Sequence, residues 1–240
     1  MAARELHAPA VDRIAAWIVG GRFAPGDTLP IEPAIGDELG VSRTVVREAI
    51  KTLAAKGMVV AGRRVGTRVR ARADWHQFDP DVVRWRLAAG VDDRFVRDLI
   101  ELRRAIEPAA ARLAACAATP ADLAGATEAL RDMTSAAHGR GDYLAADLDF
   151  HTRLLTATHN QFVAGMVPAF SALLSVSFRL SVTSLAGARA SLPAHRRVLD
   201  AIAARAPARA EAAMVALIER TRDELGAPRG RRRAVAEAAT

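Results

Sequence analysis

Cysteine is all but missing: Cys116 stands alone. One thiol cannot build a disulfide framework, which excludes the small stapled secreted scaffolds and fits a reducing cytosol. Aromatic residues are 5% of the chain, against an abundance of Ala and Leu, a balance that favours packed helices over sheet. Lysine is reduced to Lys51 and Lys56; the preference for Arg runs through the whole chain and points to no function. No N-terminal segment has the apolar core of a signal peptide, and no apolar run reads as long enough to span a bilayer. A cytoplasmic chain with no membrane partner is expected.

With 240 residues, 51% of them hydrophobic, the chain can form two small domains, each with its own core. The net charge of +7 is unevenly spread: residues 1–72 carry 12 Arg/Lys against 7 Asp/Glu, and residues 73–228 carry 18 against 19. A basic module on a near-neutral body suggests an anionic polymer bound at one end only.

Residues 32–50 form the organising stretch. Pro33 suits the first turn of a helix, Leu39-Gly40-Val41 reads as a tight turn, and Ser42 is a good N-cap for a second helix. In that second helix Val46, Ile50 and Leu53 repeat at i, i+4 and i+7, an apolar stripe for a core. Arg43, Thr44 and Arg47 then lie on the free face near the N-terminus, as a recognition helix in a major groove requires. The stretch reads as a helix-turn-helix. Beyond Gly57, Met58-Val59-Val60 and Thr67-Arg68-Val69 read as strands of a hairpin wing. Arg63, Arg64, Gly66 and Arg68 at or beside its tip suit phosphate or minor-groove contact.

Upstream, Val11, Ile14, Ala15 and Ile18 predict a helix from about Ala10 to Val19, with residues 1–9 frayed. Residues 71–78 read as a linker. Asp79-Pro80 opens a helix that Gly90 closes, and long helices follow from about 92 to 118, 121 to 138, 143 to 158 and 161 to 181. After a loop containing Gly187, two more are expected from about 192 to 204 and 207 to 225. Residues 229–240, with Arg229 and Arg231-Arg232-Arg233, read as a disordered basic tail.

Ile18-Val19-Gly20-Gly21-Arg22-Phe23-Ala24-Pro25-Gly26-Asp27-Thr28-Leu29-Pro30 and Leu39 through Ile50 resemble the DNA-binding segment of GntR-type winged-helix transcription regulators. The resemblance covers roughly residues 10–70. It departs at Ile31-Glu32-Pro33, where that family usually has Ser-Glu-Arg and the Arg contacts DNA. It implies DNA-binding roles for Ser42, Arg43, Thr44, Arg47, Arg63, Arg64 and Gly66, and a double-stranded operator bound by a homodimer.

Asp147 and His151 lie four apart on one amphipathic helix and so share a face, and His195 opens a later one. Alone, Asp-x-x-x-His more often marks a hydrogen bond at a helix surface than a metal site. Glu101-Leu102-Arg103-Arg104-Ala105-Ile106-Glu107-Pro108, Asp147-Leu148-Asp149-Phe150-His151 and Ala194-His195-Arg196-Arg197 are similar to the FCD effector domain of the FadR subfamily. That resemblance implies a divalent metal such as Zn held by one Asp and three His beside a small organic acid. Asp147, His151 and His195 match three ligands, but the fourth place holds Leu217. Either three ligands hold a metal weakly, or the same residues bind the effector without one. His159 is a substitute ligand or, better, a polar group at a helix end. Arg103 reads alone as half of a surface pair with Glu107; in the resemblance it takes the effector carboxylate by its fork. Residues 73–85 resemble the linker of sugar-acid regulators, the galactonate-responsive type among them.

The expected fold is mainly α: a winged helix-turn-helix with a small hairpin over 1–70, a linker at 71–78, an all-α effector and dimerisation bundle over 79–228, then the tail. The expected function is a transcription regulator, with no catalytic residues, acting as a repressor released by an acid. A metal-dependent enzyme at Asp147, His151 and His195 is the alternative.

Overall fold

Val11, Ile14, Ala15 and Ile18 fall on one face of helix α1 (Ala2–Val19), and all four are buried. The computed structural model describes residues 2–62, 66–181 and 184–226, and the chain divides into two units between Val91 and Asp92. Residues 2–9, expected to be frayed, are helical: Ala2-Ala3-Arg4-Glu5-Leu6 are good helix formers, and His7 Nε2 lies 3.2 Å from Thr52 Oγ1.

In the first unit, α2 (Glu32–Leu39) carries Pro33 in its first turn and ends at Gly40, whose φ of 67° an L side chain would resist. Ser42 caps α3 (Arg43–Ala55), its Oγ accepting from Val45 N at 3.4 Å. Val45, Val46, Ala49, Ile50 and Leu53 are the buried face of α3. Strands β1 (Val59–Gly62) and β2 (Gly66–Val69) pair antiparallel in the register Val59↔Val69. Arg63 and Arg64 lie outside the described residues, as does the Arg-rich tail.

Residues 71–78 are not a free linker. Trp75 is 3% exposed within the core of the first unit, and its Nε1 donates to Arg70 O at 3.2 Å. Gly57 makes this possible: at φ 74° it passes so close that an added Cβ would stand 2.5 Å from Asp74 O. Helix α4 (Pro80–Ala88), which the sequence assigns to the second domain, shares that same core through Val82 and Trp85. Its cap Asp79 is gripped by Lys56 Nζ at 2.8 Å from each oxygen, and Trp85 Nε1 donates to Asp12 Oδ1 at 2.7 Å.

The second unit is α5 (Asp93–Ala117), α6 (Pro120–Ala137), α7 (Tyr143–Thr156), α8 (Gln161–Ser181), α9 (Leu185–Ala203) and α10 (Pro207–Gly226). Helix α10 packs on α5 and α9, α6 on α7 and α9, and α7 on α8; α5 also meets both α7 and α9, which Asp147 and His195 join by a hydrogen bond. Helix α9 starts at Leu185 rather than near 192, because Ser184 Oγ accepts from Gly187 N at 3.1 Å and caps the turn expected as loop. The expectation of no bilayer-length apolar run needs correcting. Gln161–Phe178 has a mean hydropathy of 1.6, long and apolar enough by length and composition to cross a membrane. Here its Phe170, Leu173, Leu174 and Phe178 are buried against the bundle.

His159 does not substitute as a ligand. At φ 50° it directs Nε2 to Asp122 Oδ2, 2.7 Å away, where Asp122 closes the capping box of α6 with Thr119. Hydrogen bonds from Thr119, then from His159, hold the Asp122 carboxyl down at about 2. Its contribution to stability is therefore present above the ordinary value of about 4 and is lost as pH falls through about 2. Asp122→Ala should cost about 1 kcal/mol at pH 7, and the difference from wild type in thermal melts should shrink as the pH approaches 2.

Candidate functional site

The N-terminal turn of α3 is a cationic surface on a fixed base. Because Val45 and Val46 are buried, Ser42, Arg43, Thr44 and Arg47 are forced outward, and all four are exposed. Arg43 is not free: its Nε donates to Glu32 Oε2 at 3.0 Å, a bond from the first helix of the motif to the second. Ser42 spends its oxygen on the cap. On the wing, Gly66 is exposed with φ 75°, while Arg68 is tied down, with Nε and Nη2 donating to Gly26 O at 3.2 and 3.0 Å. Of the wing cations the sequence singles out, Arg68 is thus a clasp at the base of the hairpin.

The second site is buried inside the helical bundle. Spacing of four residues puts Arg103 and Glu107 on one face of α5, and Asp147 and His151 on one face of α7. His195 comes from α9 and Ser177 from α8. All six are 3% exposed or less. Arg103 Nε donates to Glu107 Oε1 at 2.6 Å and Nη1 donates to Ser177 Oγ at 2.8 Å, with the guanidinium 4.9 Å from the Phe178 ring centre. The other oxygen of Glu107, Oε2, accepts from His151 Nδ1. Phe150 and Phe178 wall the two imidazoles, their ring centres 5.3 Å from His195 and 5.0 Å from His151.

One nitrogen of each ring faces an oxygen that can only accept. A carbonyl oxygen only accepts, so His195 Nδ1, 3.0 Å from Ser191 O, is the donor there. His195 Nε2 then faces Asp147 Oδ1 at 3.0 Å. His151 Nε2 is buried with no hydrogen-bond partner; Asp147 Oδ1 lies 3.4 Å from it, within ion-pair range but badly aligned. Asp147, His151 and His195 each offer a ligand atom, and these lie within 4.8 Å of one another. Two ring nitrogens converge on a carboxylate oxygen, which needs either protons or a cation between them. The donor set of two imidazoles and one carboxylate suits a divalent metal such as Zn, with positions left open.

Charge in the cluster is held by pairing. Burial pushes Glu107 up, but the charges and hydrogen bonds of Arg103 and His151 together outweigh it and hold the carboxyl down at about 2. Burial opposes ionisation of Asp147 as well, yet His195 and His151 keep it well below the usual carboxylate range. Burial pushes His151 down, and Glu107 and Asp147 together lift it to about 9.

Every residue the sequence proposes for this site is brought together: Arg103, Asp147, His151 and His195. Leu217, in the place of a fourth ligand, is 2% exposed and apolar. Sequence reasoning missed Glu107 as a member: spacing alone pairs it with Arg103 at the surface, and the resemblance places Arg103 in the pocket without it. The signal was present in the flanking Leu99, Ile100, Ala110 and Ala111, all buried on α5. Ser177 carried no signal at all.

The FCD domain profile matches residues 98–220, and the profile of bacterial regulatory proteins, gntR family, matches residues 6–69. The chain is 34% identical over 186 residues to the galactonate operon transcriptional repressor of Escherichia coli (strain K12), covering 77% of this chain and 81% of that protein. To the HTH-type transcriptional regulator LutR of Bacillus subtilis (strain 168) it is 30% identical over 215 residues, 87% and 95% of the two chains. Among solved structures, Streptococcus agalactiae GntR is 26% identical with a TM-score of 0.50, covering 90% of this chain and 98% of that one. Lar of Listeria monocytogenes, 19% identical with a TM-score of 0.65 and covering 93% and 98%, shares the fold.

Arg103→Met should cost about 3–5 kcal/mol, because it leaves Glu107 Oε1 buried and unpaired. Arg104→Met, which breaks only the half-exposed pair with Glu219 at 3.0 Å, should cost at most about 1 kcal/mol. Urea unfolding midpoints of the two variants provide the check, and equal losses would remove the buried pair from its structural role.

Proposed function

Because this chain belongs to the gntR family of bacterial regulatory proteins and carries an FCD domain, we propose that it is a repressor released from its operator by a small sugar acid. It is a DNA-binding transcription regulator and not an enzyme. The alternative of a metal-dependent catalyst at Asp147, His151 and His195 is set aside on that membership.

In this reading, a homodimer presents two copies of α3 to a near-palindromic operator, one per half-site. Arg43, Thr44 and Arg47 supply base and phosphate contacts, with Ser42 and Gly66 close to the backbone and the wing tip, Arg63 and Arg64 included, adding phosphate contacts. A regulator that works on its operator acts in the cytoplasm, which the single unpaired Cys116 suits.

The observation that carries the effector reading is the buried set around His151 Nε2, a nitrogen without a partner beside Asp147 and His195. Burying so many polar groups costs free energy that a bound ligand offsets. Asp147, His151 Nε2 and His195 Nε2 would hold a divalent cation, Zn or similar, more weakly than a four-ligand set because Leu217 gives nothing. When bound, that cation supplies a positive centre for oxygen atoms of an acid. Arg103, with its Nη edge toward Ser177, takes the carboxylate, and the open positions of the cation and the Ser177 hydroxyl meet hydroxyl groups of the acid. With a cation present, two positive groups and the two carboxylates leave a single net positive charge, which matches a monocarboxylate such as an aldonate. The likeness to the galactonate operon repressor supports that class. The acid shifts the population only by binding one state of the dimer more tightly than the other.

Operator binding, followed by fluorescence anisotropy at fixed salt, should be reversed by an aldonate in a panel of aldonates and short hydroxy acids. Added chelator should weaken the response and Zn²⁺ restore it. Arg47→Ala should lose about 1–3 kcal/mol of operator affinity, whereas His195→Ala should keep operator affinity and lose release. A protein that holds its operator against every acid in the panel is not acid-released.

A further inference from the structure

Glu107 lies at the junction of the acid-reading and cation-holding halves of the buried site. Its two oxygens are committed separately: Oε1 accepts from Arg103 Nε at 2.6 Å, and Oε2 accepts from His151 Nδ1. With its Nδ1 proton held there, the His151 ring can offer only Nε2. That nitrogen is the buried atom without a hydrogen-bond partner, 3.4 Å from Asp147 Oδ1. Had the ring turned over, Nε2 would be spent on Glu107 and Nδ1 would face the cluster from a different place. The Arg103 side of the same carboxylate takes the Nε edge of the guanidinium and leaves the Nη edge on Ser177.

We propose that Glu107 is the positioning residue of this site, selecting His151 Nε2 as the nitrogen given to a divalent cation and tying that choice to the placement of Arg103. The inference rests on the acid-and-cation reading above. A carboxylate on the far nitrogen of a ligating imidazole fixes the tautomer and raises ligand basicity, and losing such a partner weakens metal affinity roughly 10–100-fold. His195 gets the same service from a backbone oxygen, Ser191 O, which mutation cannot remove. Glu107 is therefore the side chain through which the cation site can be tuned. Because one carboxylate serves both partners, a movement of Arg103 towards an arriving acid is felt at His151, and cation and acid affinities are linked in both directions.

Glu107→Gln is the informative change. An amide has one oxygen, so it can accept from His151 or from Arg103 but presents N–H to the other, and one of the two links must fail. Full-length wild type and variant would be titrated with Zn²⁺ against a chromophoric chelator, with operator binding and circular dichroism confirming the fold. A loss of about 10–100-fold in Zn²⁺ affinity is expected. Independently, nitrogen-15 spectra of cadmium-113-loaded wild type should show the metal coupled to His151 Nε2 and the proton on Nδ1. This second measurement decides the matter if the variant does not fold. Coupling to Nδ1, or unchanged Zn²⁺ affinity in a folded variant, would overturn the role of Glu107 and leave the acid reading in place. If wild type takes up neither metal, the cation part of that reading falls along with it.

Discussion

Two buried carboxylates, Glu107 and Asp147, set the terms for the helical bundle. Neither can be left alone in an interior, so each must be met by positive or donating groups from neighbouring helices. Glu107 draws in Arg103 on its own helix and His151 from α7; Asp147 draws in His195 from α9. Arg103 in turn takes Ser177 of α8. Four helices are thereby registered against one another by directional bonds, where apolar packing alone would tolerate sliding. The phenylalanines around the imidazoles exclude water and strengthen these pairings.

The first unit is held by a different logic. Its helix-turn-helix is defined by a buried valine pair, a left-handed glycine and a serine cap, so that the cationic face is what remains after the core is satisfied. Lys56, Asp79 and Trp85 then fasten the segment after the wing, with Trp75 filling the core beneath. What looks like connecting chain is part of the DNA-binding unit.

Much of this was legible in the sequence, because the relevant signals are local. Caps such as Ser42, Asp79, Asp92 and Asp142 sit where residue type says they should. The helix-turn-helix and the Asp147/His151 face follow from periodicity. The failures are of tertiary origin. Trp75 and α4 read as linker and second domain because nothing local tells which core an apolar face joins. From spacing alone Arg103–Glu107 reads as a surface pair, because i,i+4 geometry is the same on the inside and the outside of a bundle; only the resemblance places Arg103 in the pocket. Helix α1 begins early because propensity and a contact to Thr52 outweigh the proline at position 9. Gly187 reads as loop, but glycine in a capped first turn costs little.

The bond between Arg43 and Glu32 has a consequence for selectivity. Glu32 gives Arg43 an internal anion, so a phosphate that takes Arg43 Nε must exchange places with a carboxylate already in possession. That exchange is nearly neutral for a bare phosphate, one anion replacing another. A base edge that takes both guanidinium nitrogens while leaving Nε on Glu32 needs no exchange at all. In the role proposed for Arg43, the pair would act as a filter, dulling attraction to arbitrary duplex and preserving the reward for the right bases.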